Sequence, residues 1–142
     1  MFVYFILGLF ALGGTLFADI TSLYEPVIAG DMARNPAPVT PPVVLTIAGS
    51  DSGGGAGIQA DLKTIEAGGA FATSAVTSVT AQNTTGVEST HVLPTEEIEA
   101  QAHAVTADFD VAAIKTGMLA TSDVVELVTE TVRESSAPTV VD

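Results

Sequence analysis

A glycine-rich stretch, Ala48-Gly-Ser-Asp-Ser-Gly-Gly-Gly-Ala-Gly-Ile-Gln-Ala-Asp-Leu-Lys63, decides how the rest of the chain is interpreted. It follows Val43–Ala48, a continuous apolar run with one Thr that predicts a buried parallel strand. It leads into Gly57–Ala67, a predicted helix whose apolar residues recur at i, i+4 and i+7. Glycines between a strand and a helix let a ligand approach the backbone closely, and the free N–H groups at the helix start favour an anion or a polar oxygen.

Strands and helices alternate along the chain after this stretch. The predicted elements are a strand at 71–81, a loop or short ribbon at 84–94, a helix capped by Thr95, a strand at 111–115, a helix capped by Thr121 or Ser122, and a strand opening at Thr139. This alternation predicts the α/β class, with a mostly parallel sheet joined by right-handed crossovers. Ligands of such sheets bind at the carboxyl ends of the strands. Because the last strand opens close to Asp142, we expect the sequence to be cut to about the N-terminal half of a longer domain.

The chain divides into an apolar extension at 1–31, a Pro-rich lead at 32–42 and a regular α/β region at 43–142. Residues 1–18 carry no charge, and as a helix they would span about 27 Å, which is marginal for a bilayer. No Lys or Arg precedes Arg34, so the basic start of a signal peptide is missing. We favour an over-extended gene start, with the protein beginning at Met32; a membrane anchor and a signal peptide are the alternatives.

Composition excludes several classes of function. The net charge is −13, from 17 acidic and 4 basic residues, which argues against a nucleic-acid partner. A small phosphorylated substrate is still allowed, because backbone N–H groups bind phosphate without net charge. We interpret the acidic surface as an adaptation to salt, with an ordinary acidic protein as the alternative. The absence of Cys excludes disulfides and Cys-based metal sites, and the isolated His91 and His103 predict no metal site.

The glycine-rich stretch fails the tests for two nucleotide-binding motifs. A P-loop needs Lys directly after its last Gly, whereas Lys63 lies six residues past Gly57. A loose dinucleotide fingerprint matches Gly55, Gly57 and Ala60, but the segment 77–83, where its ribose-binding acid should follow, contains no acid. On composition alone, an alternative interpretation remains, in which the turn needs its glycines only for close packing and binds no ligand.

Three segments together resemble a known enzyme family. Residues 46–64 resemble the N-terminal signature of hydroxymethylpyrimidine/phosphomethylpyrimidine kinases, which belong to the ribokinase-like superfamily. Thr80–Thr84 is similar to the family's Ala-Gln-Asn-Thr segment, and Lys115–Leu119 is similar to its Lys-x-Gly-Met-Leu segment. The resemblance covers 43–142 and implies a three-layer α/β/α ribokinase-like fold. It also implies ATP-dependent phosphorylation of 4-amino-5-hydroxymethyl-2-methylpyrimidine and then of its monophosphate, with ATP and Mg²⁺ as cofactors, in cytoplasmic thiamine biosynthesis.

The resemblance also implies which residues bind the substrate. Gln82 would recognise the aminopyrimidine edge, because a carboxamide offers a donor and an acceptor side by side. Asp61 would lie near the hydroxymethyl group, although by position alone it is typical of a solvated helix acid. Gly49 would let the ring lie against the backbone, and Met118 would supply an adaptable apolar wall. Asp51 matches the signature without an assigned role and could equally cap the loop.

No catalytic residue is assigned, because the family's late Gly-Thr-Gly motif with its following Cys or Asp has no counterpart in the 142 residues. We therefore expect the chain by itself to be inactive as a kinase. A pyridoxal or pyridoxamine kinase and a non-catalytic pyrimidine-binding fragment are the alternatives. The expected partner is the small pyrimidine, with no nucleic acid or membrane, and a homodimer is allowed for the full-length enzyme.

Overall fold

The computed structural model describes residues 40–142, so the predictions for the extension at 1–31 and for most of the lead concern residues outside the described part. The elements are, in chain order, β1 (Val43–Ala48), α1 (Gly57–Ala67), β2 (Phe71–Val76), β3 (Ser78–Asn83), β4 (Gly86–Val92), α2 (Thr95–Asp108), β5 (Val111–Thr116), α3 (Ser122–Glu134) and β6 (Thr139–Val141). None of the helices in this described part is long and apolar enough to cross a membrane.

Four strands form a parallel sheet in the order β2-β1-β5-β6. After β1 the chain moves to one side through α1 and β2, and it returns to the other side of β1 with β5. The carboxyl ends of β1 and β5 therefore border the crevice at which open α/β sheets bind ligands. The predicted α/β class with a mostly parallel sheet is confirmed.

The buried core lies between the sheet and two helices. It comprises Leu45, Ile47, Ala75, Ile98, Ala102, Ile114, Val124 and Val128. The larger of these side chains contribute about 1.5–3 kcal/mol each when fully buried. Thr46 alternates with Leu45 and Ile47 along β1 and so points to the opposite face, where its hydroxyl donates to Asp61 of α1 at 2.6 Å. Helix α1 on one face and α2 and α3 on the other give the expected three layers.

The single strand predicted at 71–81 is wrong, because the segment forms two strands, β2 and β3, that belong to different sheets. β2 ends before Thr77, whose N–H donates to the Ala48 carbonyl at 2.9 Å and whose Oγ1 donates to the Met118 carbonyl at 2.8 Å. β3 and β4 then form a separate antiparallel ribbon, so the ribbon alternative for 84–94 is confirmed. Thr, Ser and Val run through the break without a Gly or Pro to mark it.

Helix capping matches the prediction at one of two sites. Thr95 is the first residue of α2 and not its cap; Pro94 occupies the cap position and makes no side-chain bond to the helix. Glu96 and Glu97 in the first turn complement the positive end of the helix dipole instead. Thr121 does cap α3, because its Oγ1 accepts a hydrogen bond from the N–H of Val124 at 3.3 Å.

A groove between α2 and α3 concentrates negative charge. Its carboxylates are Glu96, Glu99, Asp123, Glu126 and Glu130. Because salt screens their repulsion, we expect the melting temperature to rise by several degrees from about 0.1 M to about 2 M KCl. Simple screening saturates once the Debye length falls to a few ångströms, so a rise that continues above about 0.5 M supports salt adaptation. If the melting temperature measured by differential scanning fluorimetry does not rise between about 0.1 M and about 2 M KCl, the expected stabilisation by salt is contradicted.

Candidate functional site

The glycine-rich loop after β1 closes around the carboxylate of Asp51, which is 5% exposed. Its Oδ1 accepts from the N–H of Gly53 at 2.8 Å, and its Oδ2 accepts from Gly55 at 3.0 Å and Ala56 at 2.8 Å. Two of these N–H groups belong to the glycine-rich loop, and the third belongs to Ala56, the residue that precedes α1. The chain's own side chain occupies that cradle, which confirms Asp51 as the residue that caps the loop.

The hydrogen bonds to Asp51 change its acidity. Burial raises the pKa of the Asp51 carboxyl, but the N–H groups of Gly53, Ala56, Gly55 and Gly54 together outweigh burial and hold the pKa below its usual 3.8. The ionised form is therefore the form that stabilises the loop.

Asp51→Asn is expected to lower the melting temperature by several degrees near neutral pH. A carboxamide has one acceptor oxygen, and its NH₂ group would face the N–H donors of Gly55 and Ala56. Since the folded pKa is depressed, the carboxylate's stabilisation is present above the unfolded value of 3.8 and is lost as the pH falls through the folded pKa. The difference in melting temperature between wild type and variant should therefore narrow below about pH 4.

Asp110→Asn serves as the control for Asp51→Asn, because Asp110 is exposed and the substitution removes the same charge. It should leave the melting temperature nearly unchanged at every pH. An Asp51→Asn difference as large in acid as at neutral pH would show that the stabilisation does not come from the ionised carboxylate.

Asp61 is held by one of its two carboxylate oxygens. Oδ2 accepts from Thr46 Oγ1 at 2.6 Å and from Lys115 Nζ at 3.1 Å, and the side chain is 16% exposed. Thr46 of β1 and Lys115 of β5 are paired in register beneath α1, so the sheet itself positions the carboxylate. Oδ1 has no hydrogen-bond partner within residues 40–142. Asp61 is thus an anchored carboxylate with one oxygen free to accept, and not a solvated helix acid.

Gly49 and Met118 lie against each other. The Met118 carbonyl accepts from the N–H of Gly49 at 3.1 Å and from Thr77 Oγ1 at 2.8 Å, so its backbone is fixed. The Met118 side chain is 49% exposed, and its Cε lies 2.6 Å from where a Cβ on Gly49 would stand. Ser78 Oγ, which is buried without a partner in the described part of the chain, lies 2.7 Å from the same point. A ring could rest on Gly49 only after the flexible Met118 side chain moves aside.

Gln82 lies on β3 and is tied to the loop after β1. The backbone N–H of Gln82 donates to Ser52 Oγ at 2.7 Å, and the Ser52 hydroxyl in turn donates to the backbone carbonyl of Gln82 at 2.7 Å. Its Oε1 is 3.3 Å from Thr80 Oγ1, whose single hydrogen is better placed for the Ser50 carbonyl at 2.6 Å. The carboxamide therefore keeps its donor and its acceptor available to a ligand.

The four residues expected to bind substrate come from four segments near the carboxyl ends of β1 and β5: Gly49 follows β1, Asp61 lies on α1, Gln82 lies on β3 and Met118 follows β5. Gly49 and Met118 are in contact, whereas Asp61 and Gln82 are each held by a separate set of hydrogen bonds. Sequence reasoning missed Lys115, although a lysine inside the otherwise apolar run of β5 was a usable signal.

Residues 51–142 match the family model described as phosphomethylpyrimidine kinase. The chain belongs to this family. It is 56% identical over 105 residues to the hydroxymethylpyrimidine/phosphomethylpyrimidine kinase of Streptomyces coelicolor, a match that covers 74% of this chain and 39% of that protein. The enzyme of the same name from Haemophilus influenzae is 59% identical over 87 residues, which is 61% of this chain and 32% of that protein. The chain thus spans about two fifths or less of the length of these relatives.

Solved structures of two kinase types share the fold. The phosphomethylpyrimidine kinase of Clostridium difficile superposes with a TM-score of 0.68 at 43% identity, covering 71% of this chain and 44% of that one. The pyridoxal kinase of Staphylococcus aureus in complex with pyridoxal gives a TM-score of 0.67 at 36% identity, covering 73% and 39%. The expected ribokinase-like fold is confirmed by these likenesses.

Proposed function

We propose that the described region binds the pyrimidine in a hydroxymethylpyrimidine/phosphomethylpyrimidine kinase, an enzyme that phosphorylates 4-amino-5-hydroxymethyl-2-methylpyrimidine and then its monophosphate. The observation that carries the proposal is the one-sided anchoring of Asp61 at the crevice, with Oδ2 held by Thr46 and Lys115 and Oδ1 free. A fixed acceptor of this kind suits a substrate hydroxyl that must be oriented before phosphoryl transfer. Identity of 56% to a curated enzyme of this name supports the same assignment.

Each site residue has a distinct role in the proposal. Asp61 Oδ1 accepts the hydrogen bond of the substrate's hydroxymethyl group and so aims its oxygen at the phosphoryl donor. Gln82 pairs with the amino group and the neighbouring ring nitrogen, one as donor and one as acceptor. Met118 moves off Gly49 and covers the ring, which excludes water from one face.

ATP would supply the phosphoryl group, and Mg²⁺ would neutralise its charge. Residues 40–142 do not fit either group: within them no cluster of three or more His, Asp or Glu side chains could hold a metal ion. The loop N–H groups of Gly53, Gly55 and Ala56, which could otherwise bind a phosphate, are already bonded to Asp51. No step through ATP or Mg²⁺ is therefore assigned to these residues.

Pyridoxal is the second candidate substrate, because a pyridoxal kinase in complex with pyridoxal has the same fold at 36% identity. Pyridoxal also carries a hydroxymethyl group on a nitrogen heterocycle, so Asp61 would serve either substrate. The lower identity, compared with 56% for the curated pyrimidine kinase, favours the pyrimidine.

Turnover by the full-length protein tests the proposed function, because the 142-residue chain by itself is expected to be inactive. With ATP and Mg²⁺, mass spectrometry should detect the pyrimidine monophosphate and then the diphosphate from the full-length protein, with turnover at least about ten times faster than with pyridoxal or pyridoxamine. Binding of the pyrimidine without turnover would favour the non-catalytic binding module, and faster turnover of pyridoxal would favour the vitamin B6 activity. The cytoplasmic location and the homodimer stay predictions, to be tested by cell fractionation and light scattering.

A further inference from the structure

Lys115 is placed at the crevice by three features of the fold. It lies near the end of β5, and its side chain is only 21% exposed. Its Nζ stands between two carboxylates, 3.1 Å from Asp61 and 3.3 Å from Asp142. Gly117 makes room for it, since a Cβ there would lie 3.0 Å from Nζ. The ammonium group is therefore fixed beside the carboxylate that the proposed function places against the substrate.

Positive charge is scarce in this protein, which has 4 basic residues against 17 acidic ones. Within residues 40–142, Lys63 is exposed and donates to the Gly54 carbonyl at 2.7 Å, and Arg133 lies in the last turn of α3. Lys115 alone among the described cations forms an ion pair with Asp61. Since Lys115 is held at the crevice and is largely buried, its charge serves a purpose other than keeping this acidic chain in solution.

The two proposed substrates differ in charge, and this difference gives Lys115 a role. The first is a neutral alcohol, but the second carries a phosphate of about −1.5 to −2 charge on the same hydroxymethyl oxygen. Asp61 attracts the alcohol's hydroxyl but repels that phosphate. Lys115 has three N–H donors. One donates to Asp61, and Asp142 lies at ion-pair distance, so at least one donor is left for a phosphate oxygen.

We propose that Lys115 binds the phosphate group of the pyrimidine monophosphate and thereby lets one site accept both the alcohol and its phosphate ester. This inference rests on the proposed function, because it assumes that the pyrimidine binds beside Asp61. It makes Lys115 a residue that determines specificity between the two substrates.

Calorimetric titration of the purified protein with the alcohol and with the monophosphate tests the inference. In Lys115→Met, affinity for the monophosphate should fall about 10- to 100-fold more than affinity for the alcohol. Lys115→Arg should restore most of the lost affinity, because it returns a fixed positive charge. In wild type, added salt should weaken binding of the monophosphate more than binding of the alcohol.

Lys63→Met is the matched control, since it removes the same charge from the rim of the loop and should leave the ratio of the two affinities unchanged. Equal losses for both ligands in Lys115→Met would overturn the inference and leave Lys115 as a positioning residue for Asp61. If Lys115→Met does not fold, the same ratio is measured in Lys115→Gln, whose side chain can still donate to Asp61. Failure of wild type to bind either ligand would refute the proposed function itself.

Discussion

Gly57→Ala is expected to lower the melting temperature by more than about 10 °C and to abolish binding of the pyrimidine. Gly57 has φ +54, and a Cβ there would collide with the carbonyl oxygen of Gly49 and lie 3.3 Å from the N–H nitrogen of Asp51. The Gly49 carbonyl cannot withdraw freely, because it accepts from the N–H of Ile58 in the first turn of α1 at 3.0 Å. We expect a cost of about 3 kcal/mol or more.

Gly69→Ala separates the collision at Gly57 from simple backbone strain. Gly69 has φ +84, but no atom lies within 4 Å of a Cβ built on it. Its substitution should cost only the left-handed conformation, about 1 kcal/mol. Thermal unfolding of both variants measures the difference. Equal losses of stability would mean that the contact with Gly49 does not constrain the loop.

Asp61→Asn is expected to weaken binding of the hydroxymethylpyrimidine about 10- to 100-fold, because hydrogen bonds to a charged acceptor are among the stronger ones. The sharper readout compares this ligand with the analogue in which a methyl group replaces the hydroxymethyl group. Wild type should prefer the alcohol over the methyl analogue. Asp61→Asn should lose that preference while it binds the methyl analogue about as well as wild type does.

Glu66→Gln is the control for Asp61→Asn, because it removes one exposed carboxylate from the same helix without touching the crevice. It should change neither affinity. If Asp61→Asn weakens both ligands to the same degree, Asp61 supports the fold of the crevice and does not contact the hydroxymethyl group.

The sequence predicts the frame of this fold well where local signals are strong. The bounds of α1 agree with the prediction because Gly57 begins the helix and Gly68 ends it. The parallel sheet follows from its apolar strands and intervening helices. The break between β2 and β3 was missed, because it is made by hydrogen bonds from Thr77 to Ala48 and Met118, which are distant in sequence.

The site is predictable in its residues but less so in its contacts. Asp61 could be singled out through the family resemblance, yet nothing local indicates that Thr46 and Lys115 hold it, since their meeting depends on the register of β1 with β5. The loop's N–H groups were foreseen as an anion site. That Asp51 fills this site could only be left as one alternative, because side-chain direction is set by the closed loop.

Calorimetric titration of the unmodified protein with 4-amino-5-hydroxymethyl-2-methylpyrimidine tests the central claim most directly. We expect saturable binding of one pyrimidine per chain, at least about tenfold tighter than binding of pyridoxal under the same conditions. Absence of pyrimidine binding by the folded protein, or tighter binding of pyridoxal, would contradict it.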